Sequence, residues 1–330
     1  MSDSDDSSPR PAKRPKISKK DFPEKDGALW LDDGNIVLIS AQGVGFRVHL
    51  SVLSMNVVGF RDMFGAVDHS DEKEKYTTRT LKDSTQDLRH FLHALYTRTY
   101  FYPGKPTHYD TLESMLRMST KYHAKQLRHE LIEHLIMIYP SEMMVLEKYK
   151  DLRIPSDDTH SLRAITMARE CDVPMILPTA FYWASTISPA QLIRLQPKLK
   201  SKDLAEILVG REKIAQAVYK AMWCWLSETR HGCKGDRKCR ARRLSVLRDT
   251  NQFQGAPPSF FLNKILPETP DEESSDSESD EEDEEGKFCE HCLQQWYTPK
   301  KMRKDYQDIW DSLPSYFTLP SWDDLDDMKY

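Results

Sequence analysis

Residues 33–64, DGNIVLISAQGVGFRVHLSVLSMNVVGFRDMF, decide how this chain is read. Ile36 to Ile39 form a short run rich in β-branched residues, AQGVG (41–45) supplies a turn, and Phe46, Val48 and Leu50 alternate with Arg47 and His49. Alternation at period two on both sides of a glycine-bearing turn predicts a β-hairpin. Ser51 is then expected to cap a helix in which Leu53, Val57, Phe60 and Phe64 fall at 0, 4, 7 and 11, one helical face, with Gly65 ending it. Two functions compete for the same stretch. Either Gly43 and Gly45 cradle a phosphate while His49 does chemistry, or the stretch opens a domain that binds other proteins.

The phosphate reading fails on spacing. A dinucleotide fingerprint that began at Gly43-Val44-Gly45 would need its third glycine where Val48 stands. The pair also lies between two expected strands, so no helix N-terminus is aimed at an anion. PGKPT (103–107) contains Gly-Lys but lacks the upstream glycine and the following helix start of a phosphate loop. HELIEH (129–134) resembles a zinc-protease helix at first sight. Its histidines, His129 and His134, are five apart instead of four, which turns them roughly 140° away from each other at about 3.6 residues per turn. With no nucleophile elbow and no Cys positioned with a His and an acid, the expectation is a non-enzyme.

Outward from the hairpin, residues 66–80 read as a charged loop with one strand near YTTRTL (76–81). Three helices come next. Ser84 and Asp87 resemble a capping box ahead of the stripe Leu88, Phe91, Leu92 and Leu95. Leu112, Met115, Leu116 and Tyr122 mark the second, and Leu127, Leu131, Leu135 and Ile138 the third, after a loop bracketed by Pro103 and Pro106. The pattern stays helical to about residue 228, with Ser188-Pro189 as a helix start and Ile207, Ile214, Val218 and Trp225 on one face of a long segment, 201–227. The expected organisation is thus α+β: a disordered basic tail over 1–25, a hairpin-led mixed domain over 26–140, and a helical domain over 141–228. A basic cysteine segment and loop (229–265), an acidic disordered run (266–287) and a Cys/aromatic tail (288–330) complete it.

Charge is segregated along the chain. Lys and Arg number 47 against 52 Asp and Glu, a net −5 over 330 residues, yet DEESSDSESDEEDEE (271–285) alone carries 11 of the acids. The remainder is therefore mildly basic. No apolar run reaches the roughly 18 residues of a membrane helix, the first ten residues lack the apolar centre of a secretory signal, and six unevenly placed cysteines do not form a disulfide framework. These features lead to the expectation of a soluble intracellular protein without membrane partners. KRPKISKK (13–20) clusters bases as a nuclear-import signal does, so nuclear or cytoplasmic residence is expected, nuclear slightly favoured.

The hairpin, the helix after it and the helix LKDSTQDLRHFLHALYT (81–97) together resemble a BTB/POZ domain, in the version common in fungal proteins. The resemblance is carried by an aromatic-x-x-His-x-x-x-Leu motif, here Phe46, His49 and Leu53, and by F-L-x-A-L-Y over Phe91–Tyr96, and it covers about residues 26–140. The Trp/Leu-Pro tail over 310–322 also looks like the ending of many such fungal proteins. The resemblance implies short strands in a hairpin-led sheet packed with helices. It also implies a protein–protein interaction module, often homodimeric, sometimes an adaptor for cullin-based ubiquitin ligases, sometimes part of a transcription factor. His49 becomes a packed, hydrogen-bonded residue instead of a base. In repressor-type relatives an arginine follows this histidine and lines a corepressor groove; Leu50 stands there in this chain, which argues against that groove.

Four cysteines lie outside the helical body and form a candidate structural zinc set, Cys233, Cys239, Cys289 and Cys292, with His231 and His291 as substitutes. CEHC (289–292) has the two-residue spacing that presents two thiolates to one tetrahedral ion. Cys233 and Cys239 are a looser pair, and the 49 residues between Cys239 and Cys289 cost closure entropy only logarithmically. Cys171 and Cys224 sit in apolar helical contexts and are expected in the core. RHGCKGDRKCRARR (230–243) carries seven Arg/Lys and one Asp and could meet nucleic-acid phosphates, although aromatic interleaving is missing and the acidic run is a nearer partner. Ser275, Ser277 and Ser279 each have an acid three residues on, the pattern of an acidophilic kinase site. WDSLPSYFTLPSWDDL (310–325) is expected to be extended by its prolines and to dock on its own helical domain, with a partner as the other possibility.

Two functions are expected on these grounds. The first is an adaptor or scaffold that pairs with itself or another protein through the 26–140 domain, a cullin among the candidates, while the helical region holds a second partner. The alternative is a nuclear nucleic-acid-associated regulator that uses 230–243, with the N-terminal domain for dimerisation.

Overall fold

A computed structural model of the chain describes residues 23–65, 77–146, 148–154, 157, 159–195, 199–227, 233, 237–241 and 299–328. The expected hairpin is present: β2 (Ile36–Ile39) and β3 (Val44–Val48) pair antiparallel with Ile36 opposite Val48 and Leu38 opposite Phe46. Those four side chains are buried and face the core together, as period-two alternation requires. β1 (Glu24–Trp30) adds to β3 in parallel and β4 (Thr77–Thr80) adds to β2 in parallel, giving the order β1-β3-β2-β4.

β1 begins two residues inside the stretch expected as tail, because Glu24 and Lys25 pair with Val44 and Gly45. The strand is irregular, and Asp26 explains how it holds. One carboxylate oxygen accepts from the amides of Ala28 and Leu29 at 3.1 and 3.0 Å, and the other from Arg89 Nε at 2.8 Å. Burial alone would raise this carboxyl; the Arg89 hydrogen bond and the two amides outweigh it and hold Asp26 below its ordinary range.

The helix expected from Ser51 differs in two ways. It starts two residues earlier, with His49 in place of Ser51 at the cap, and it is broken into α1 (Leu50–Asn56) and α2 (Val58–Gly65) by an extended Val57. No side chain of its own caps α1. Its leading amides are met from elsewhere: His49 N–H donates to Tyr96 Oη and Leu50 N–H to Asn35 Oδ1, both at 2.8 Å. This satisfies orphan donors as a local cap would. The break lets Gly59 N–H donate to the Tyr122 carbonyl at 2.8 Å, an approach so close that a Cβ on Gly59 would sit 2.8 Å from that oxygen.

α3 (Thr85–Tyr96) is capped at Ser84, which accepts from Asp87 N–H at 3.0 Å and donates its hydroxyl to the Asp87 carboxylate at 2.7 Å. α4 (Tyr109–Lys121) and α5 (Lys125–Ile138) bury the apolar residues read from the sequence. A two-residue parallel pairing of β5 (Thr107–His108) with β6 (Arg153–Ile154) ties this unit to the helical region.

The helical region comprises α6 (Thr159–Cys171), a 3₁₀ turn at Pro174–Ile176, α7 (Leu177–Thr186), α8 (Pro189–Leu195) and α9 (Ser201–Ser227). Ser188 starts α8 as expected, receiving the Gln191 amide at 3.3 Å and donating to Gln191 Oε1 at 2.8 Å. Ile207, Ile214 and Val218 are buried on one face of α9, while the Trp225 side chain lies outside the described residues. Among the described residues three C-terminal helices follow: α10 (Pro299–Asp311), α11 (Leu313–Tyr316) and α12 (Trp322–Asp327). Buried apolar residues from Leu29 to Leu325 form one continuous cluster. No helix among the described residues is long and apolar enough to cross a membrane.

Candidate functional site

The residues first suspected of chemistry have structural occupations. Gly43 has φ +84° and closes the hairpin, its amide donating to the Ser40 carbonyl at 3.0 Å. Gly45 lies in β3, where a Cβ would come within 2.8 Å of Pro23. The two glycines thus answer to a left-handed turn and to the crossing of the chain before β1, not to a phosphate.

His49 is a quarter exposed, with Nε2 3.1 Å from Asp33 Oδ1 and its amide on Tyr96. Its main chain is tied to Tyr96 at the end of α3 and its ring to Asp33 ahead of β2, the geometry of a fastening residue. His134 is fully buried in α5; Nδ1 accepts from Gly104 N–H at 3.0 Å, Phe101 packs edge-on at 5.4 Å, and Nε2 has no partner. Burial pushes its imidazole down to about 4, so it is neutral near pH 7. His129, half-exposed on the same helix, faces Glu133 at 3.5 Å instead. The loop PGKPT serves this arrangement, with Gly104 at φ +79° delivering its amide to His134.

Of the candidate zinc set, Cys233 is half-buried and Cys239 is buried within the helical residues 237–241, where Arg237, Lys238 and Arg240 are exposed. Cys289, Cys292, His231, His291, Arg242 and Arg243 lie outside the described residues, as do the serines 275, 277 and 279, the acidic run and the basic cluster 13–20. Among the described residues no three His, Cys, Asp or Glu converge as a metal site. Cys171 is buried in α6, as expected; the Cys224 side chain is outside the described set.

Two interfaces join distant parts of the chain, the first not visible in the motifs and the second expected from the aromatic tail. The first joins α4 to α6. Arg163 donates to Asp110 at 2.5 Å and, through Nε, to Glu113 at 3.1 Å, with a second contact to Glu113 from its terminal nitrogen. Arg117 joins Glu113 and Glu170 at 2.8 and 2.9 Å. Beside this seam the Tyr109 and His160 rings stack at 4.4 Å, and Arg128 of α5 donates to the carbonyls of Cys171 and Asp172 at the end of α6. Spacing within one helix cannot show a pair more than 40 residues apart in sequence. The structural sign of it is the burial of the Glu113 acid on α4.

The second is made by the C-terminal segment, which docks on its own helical region. It is not extended: Pro314 occupies the second position of α11 and Ser321 caps α12 through a reciprocal bond set with Asp324, both positions that helices accept. Trp310 is fully buried, donates Nε1–H to the Ser141 carbonyl at 2.5 Å and meets Tyr182 edge-on at 5.4 Å. Phe317 stacks on Phe181 at 5.2 Å and enters a notch made by Gly210, where a Cβ would lie 2.1 Å from the ring. Lys213 Nζ reaches the Tyr316 carbonyl at 3.3 Å, and Trp322 Nε1 the Trp310 carbonyl at 3.4 Å.

With this geometry in place the comparison with known families is specific. Residues 34–138 match the family model of the BTB/POZ domain. The chain therefore carries a BTB/POZ domain, with its small sheet and packed helices, followed by a helical region. Such a domain is generally a protein–protein interaction and dimerisation module and is not typically catalytic. No curated protein matches the chain.

Proposed function

We propose that this chain is an adaptor or scaffold that pairs with a second copy through its BTB/POZ domain and presents the helical region to another protein. The observation that carries the reading is the match of residues 34–138 to a domain whose general role is association. A surface feature fits it. Met55 on α1 is 86% exposed, the most exposed large apolar side chain described, on a helix whose other face is anchored by Leu53. Apolar area of this kind is removed from water when partners meet.

Light scattering of the full chain over a wide concentration range tests it. The expected mass is twice the 38.5 kDa of one chain, and Met55→Glu weakens the pair by tenfold or more. A strict monomer at all concentrations overturns self-pairing.

A second reading is favoured by one observation: Arg237, Lys238 and Arg240 are exposed around the buried Cys239. Here the basic segment, folded on zinc held by Cys233, Cys239, Cys289 and Cys292, contacts nucleic-acid phosphates. Salt-dependent retention of RNA or DNA that vanishes when these bases are neutralised supports it. No retention at low salt removes it.

A further inference from the structure

His160 sits where the BTB/POZ domain and the helical region meet. Its ring is buried in the first turn of α6 and lies flat on Tyr109 of α4, with 4.4 Å between centroids and 11° between planes. Tyr109 is fully buried too, and the Arg163 guanidinium stands 4.9 Å from the centre of the same ring. Arg153 of β6 donates to Tyr139 Oη at 3.3 Å, and that hydroxyl donates to the His160 carbonyl at 3.4 Å. Residues of α4, β6 and α6 and the residue that ends α5 therefore converge on one imidazole.

The surroundings suit the neutral ring and not its cation. Nδ1 has no hydrogen-bond partner among the described residues, and Nε2 faces Asp157 Oδ2 at 3.7 Å, beyond hydrogen-bond reach. A proton that gives both nitrogens an N–H adds a buried donor with no acceptor, which is costly. The charges facing the ring are divided. Arg153 and Arg163 repel a cation, whereas Asp157 and Asp110 attract it. Both carboxylates are substantially exposed, and each is already engaged, Asp157 by Thr159 and Asp110 by Arg163. Glu113 of α4 is taken up by Arg163 and Arg117. Burial is the largest influence and, with the two guanidiniums, outweighs Asp157 and holds His160 below the ordinary histidine range. The cation is relieved if the ring leaves Tyr109, and the first turn of α6 moves with it.

We propose that His160 is a proton-operated latch: neutral, it holds the first turn of α6 against α4, and protonated, it leaves the Tyr109 face and opens the seam between the BTB/POZ domain and the helical region. The latch acts within one chain and does not depend on pairing. A closed state that disfavours the proton and an open state with an ordinary imidazole are linked by mass action, so opening increases as pH falls through about 6.5. Between pH 7.5 and 5.5 the increase has a ceiling of about tenfold.

Hydrogen exchange of the full chain at the two pH values, corrected for the intrinsic amide rate, reads this opening segment by segment. Peptides covering β5, β6 and the first two turns of α6 are expected to lose protection by about fivefold to tenfold at the lower pH. Peptides from β2 and β3 keep theirs. His160→Phe retains an aromatic ring on Tyr109 and takes up no proton, so its seam peptides should exchange alike at both pH values. The same loss in this variant as in the wild type overturns the latch, as does no loss in the wild type, or a loss shared equally by β2 and β3. Should His160→Phe fail to fold, Asp157→Asn replaces it, since the amide keeps an acceptor for Thr159 N–H and removes the nearest attraction on an imidazolium. Its loss of protection at pH 5.5 should equal or exceed that of the wild type, and a smaller loss overturns the proposal.

Discussion

At Gly59 a single methyl group decides whether two helices fit. Its amide bonds to the Tyr122 carbonyl and a Cβ would stand 2.8 Å from that oxygen, against rigid main chain. Gly59→Ala gains about 0.5–1 kcal/mol of helix propensity but forces an overpacked contact costing about 1–3 kcal/mol, so net destabilisation is expected. Gly27→Ala, which has nothing within 4 Å of its Cβ position, serves as the control and stays within about 0.5 kcal/mol. Urea midpoints of the two variants check this, and equal midpoints would refute the close approach.

His134 gives a pH dependence at the same scale. Its pKa is about 4 in the folded chain and about 6.5 when unfolded, so the unfolded state binds more protons between those values. Stability from this group is complete above pH 6.5 and falls as pH drops toward 4, by about 3 kcal/mol in full. His134→Gln retains an acceptor for Gly104 N–H without a group that titrates here. Its loss of stability between pH 6.5 and 4 should be shallower than that of the wild type, and parallel curves would refute the assignment. The five-residue spacing showed only that His134 and His129 do not face one metal; the contact with Gly104 was not legible, because Gly104 is 30 residues away.

At the scale of elements, legible and hidden features divide along one line. Patterns that a single element must satisfy were legible: the alternation of Ile36, Leu38, Phe46 and Val48, the Ser84 cap, the Ser188-Pro189 start and the span of α9. Features that depend on a distant partner were not. The 0, 4, 7, 11 spacing of Leu53, Val57, Phe60 and Phe64 is met as well by two helices broken at Val57 as by one, and all four residues are buried. β1 was hidden because its inward residue Asp26 is polar and is compensated by Arg89, 63 residues later.

The α4–α6 seam is the same kind of feature. Arg163 is partly exposed, but Glu113 is mostly buried and keeps only Arg117 if Arg163 is removed. Arg163→Ala is expected to cost about 1–3 kcal/mol, less than the roughly 3–5 kcal/mol of a fully buried pair because solvent reaches one side. Adding Glu113→Ala to that variant should cost less than the sum of the two single changes, since it removes the stranded carboxylate. Strict additivity in denaturation would show that the seam carries no coupling.

For the whole molecule the question is whether the BTB/POZ domain and the helical region unfold together. Chains of this length commonly unfold in more than one step. Among the connections that cross between the two parts are the charged seam, the Tyr109–His160 stack, the Arg128 cap on the end of α6, and the β5–β6 pairing. The C-terminal segment then fastens Ser141, just beyond α5, to α7 and α9 through Trp310, 169 residues away in sequence. Buried apolar residues are continuous across all of it. Trp310→Ala should therefore remove about 3–5 kcal/mol from one shared transition, not melt the helical region alone. The measurement is thermal unfolding followed by far-ultraviolet dichroism together with a probe on the BTB/POZ side, such as the fluorescence of a dye placed at Met55→Cys. Coincident midpoints that move down together in the variant support a single cooperative unit. A BTB/POZ signal that stays in place while the helical signal falls would mean that the seam joins two bodies without coupling their stability.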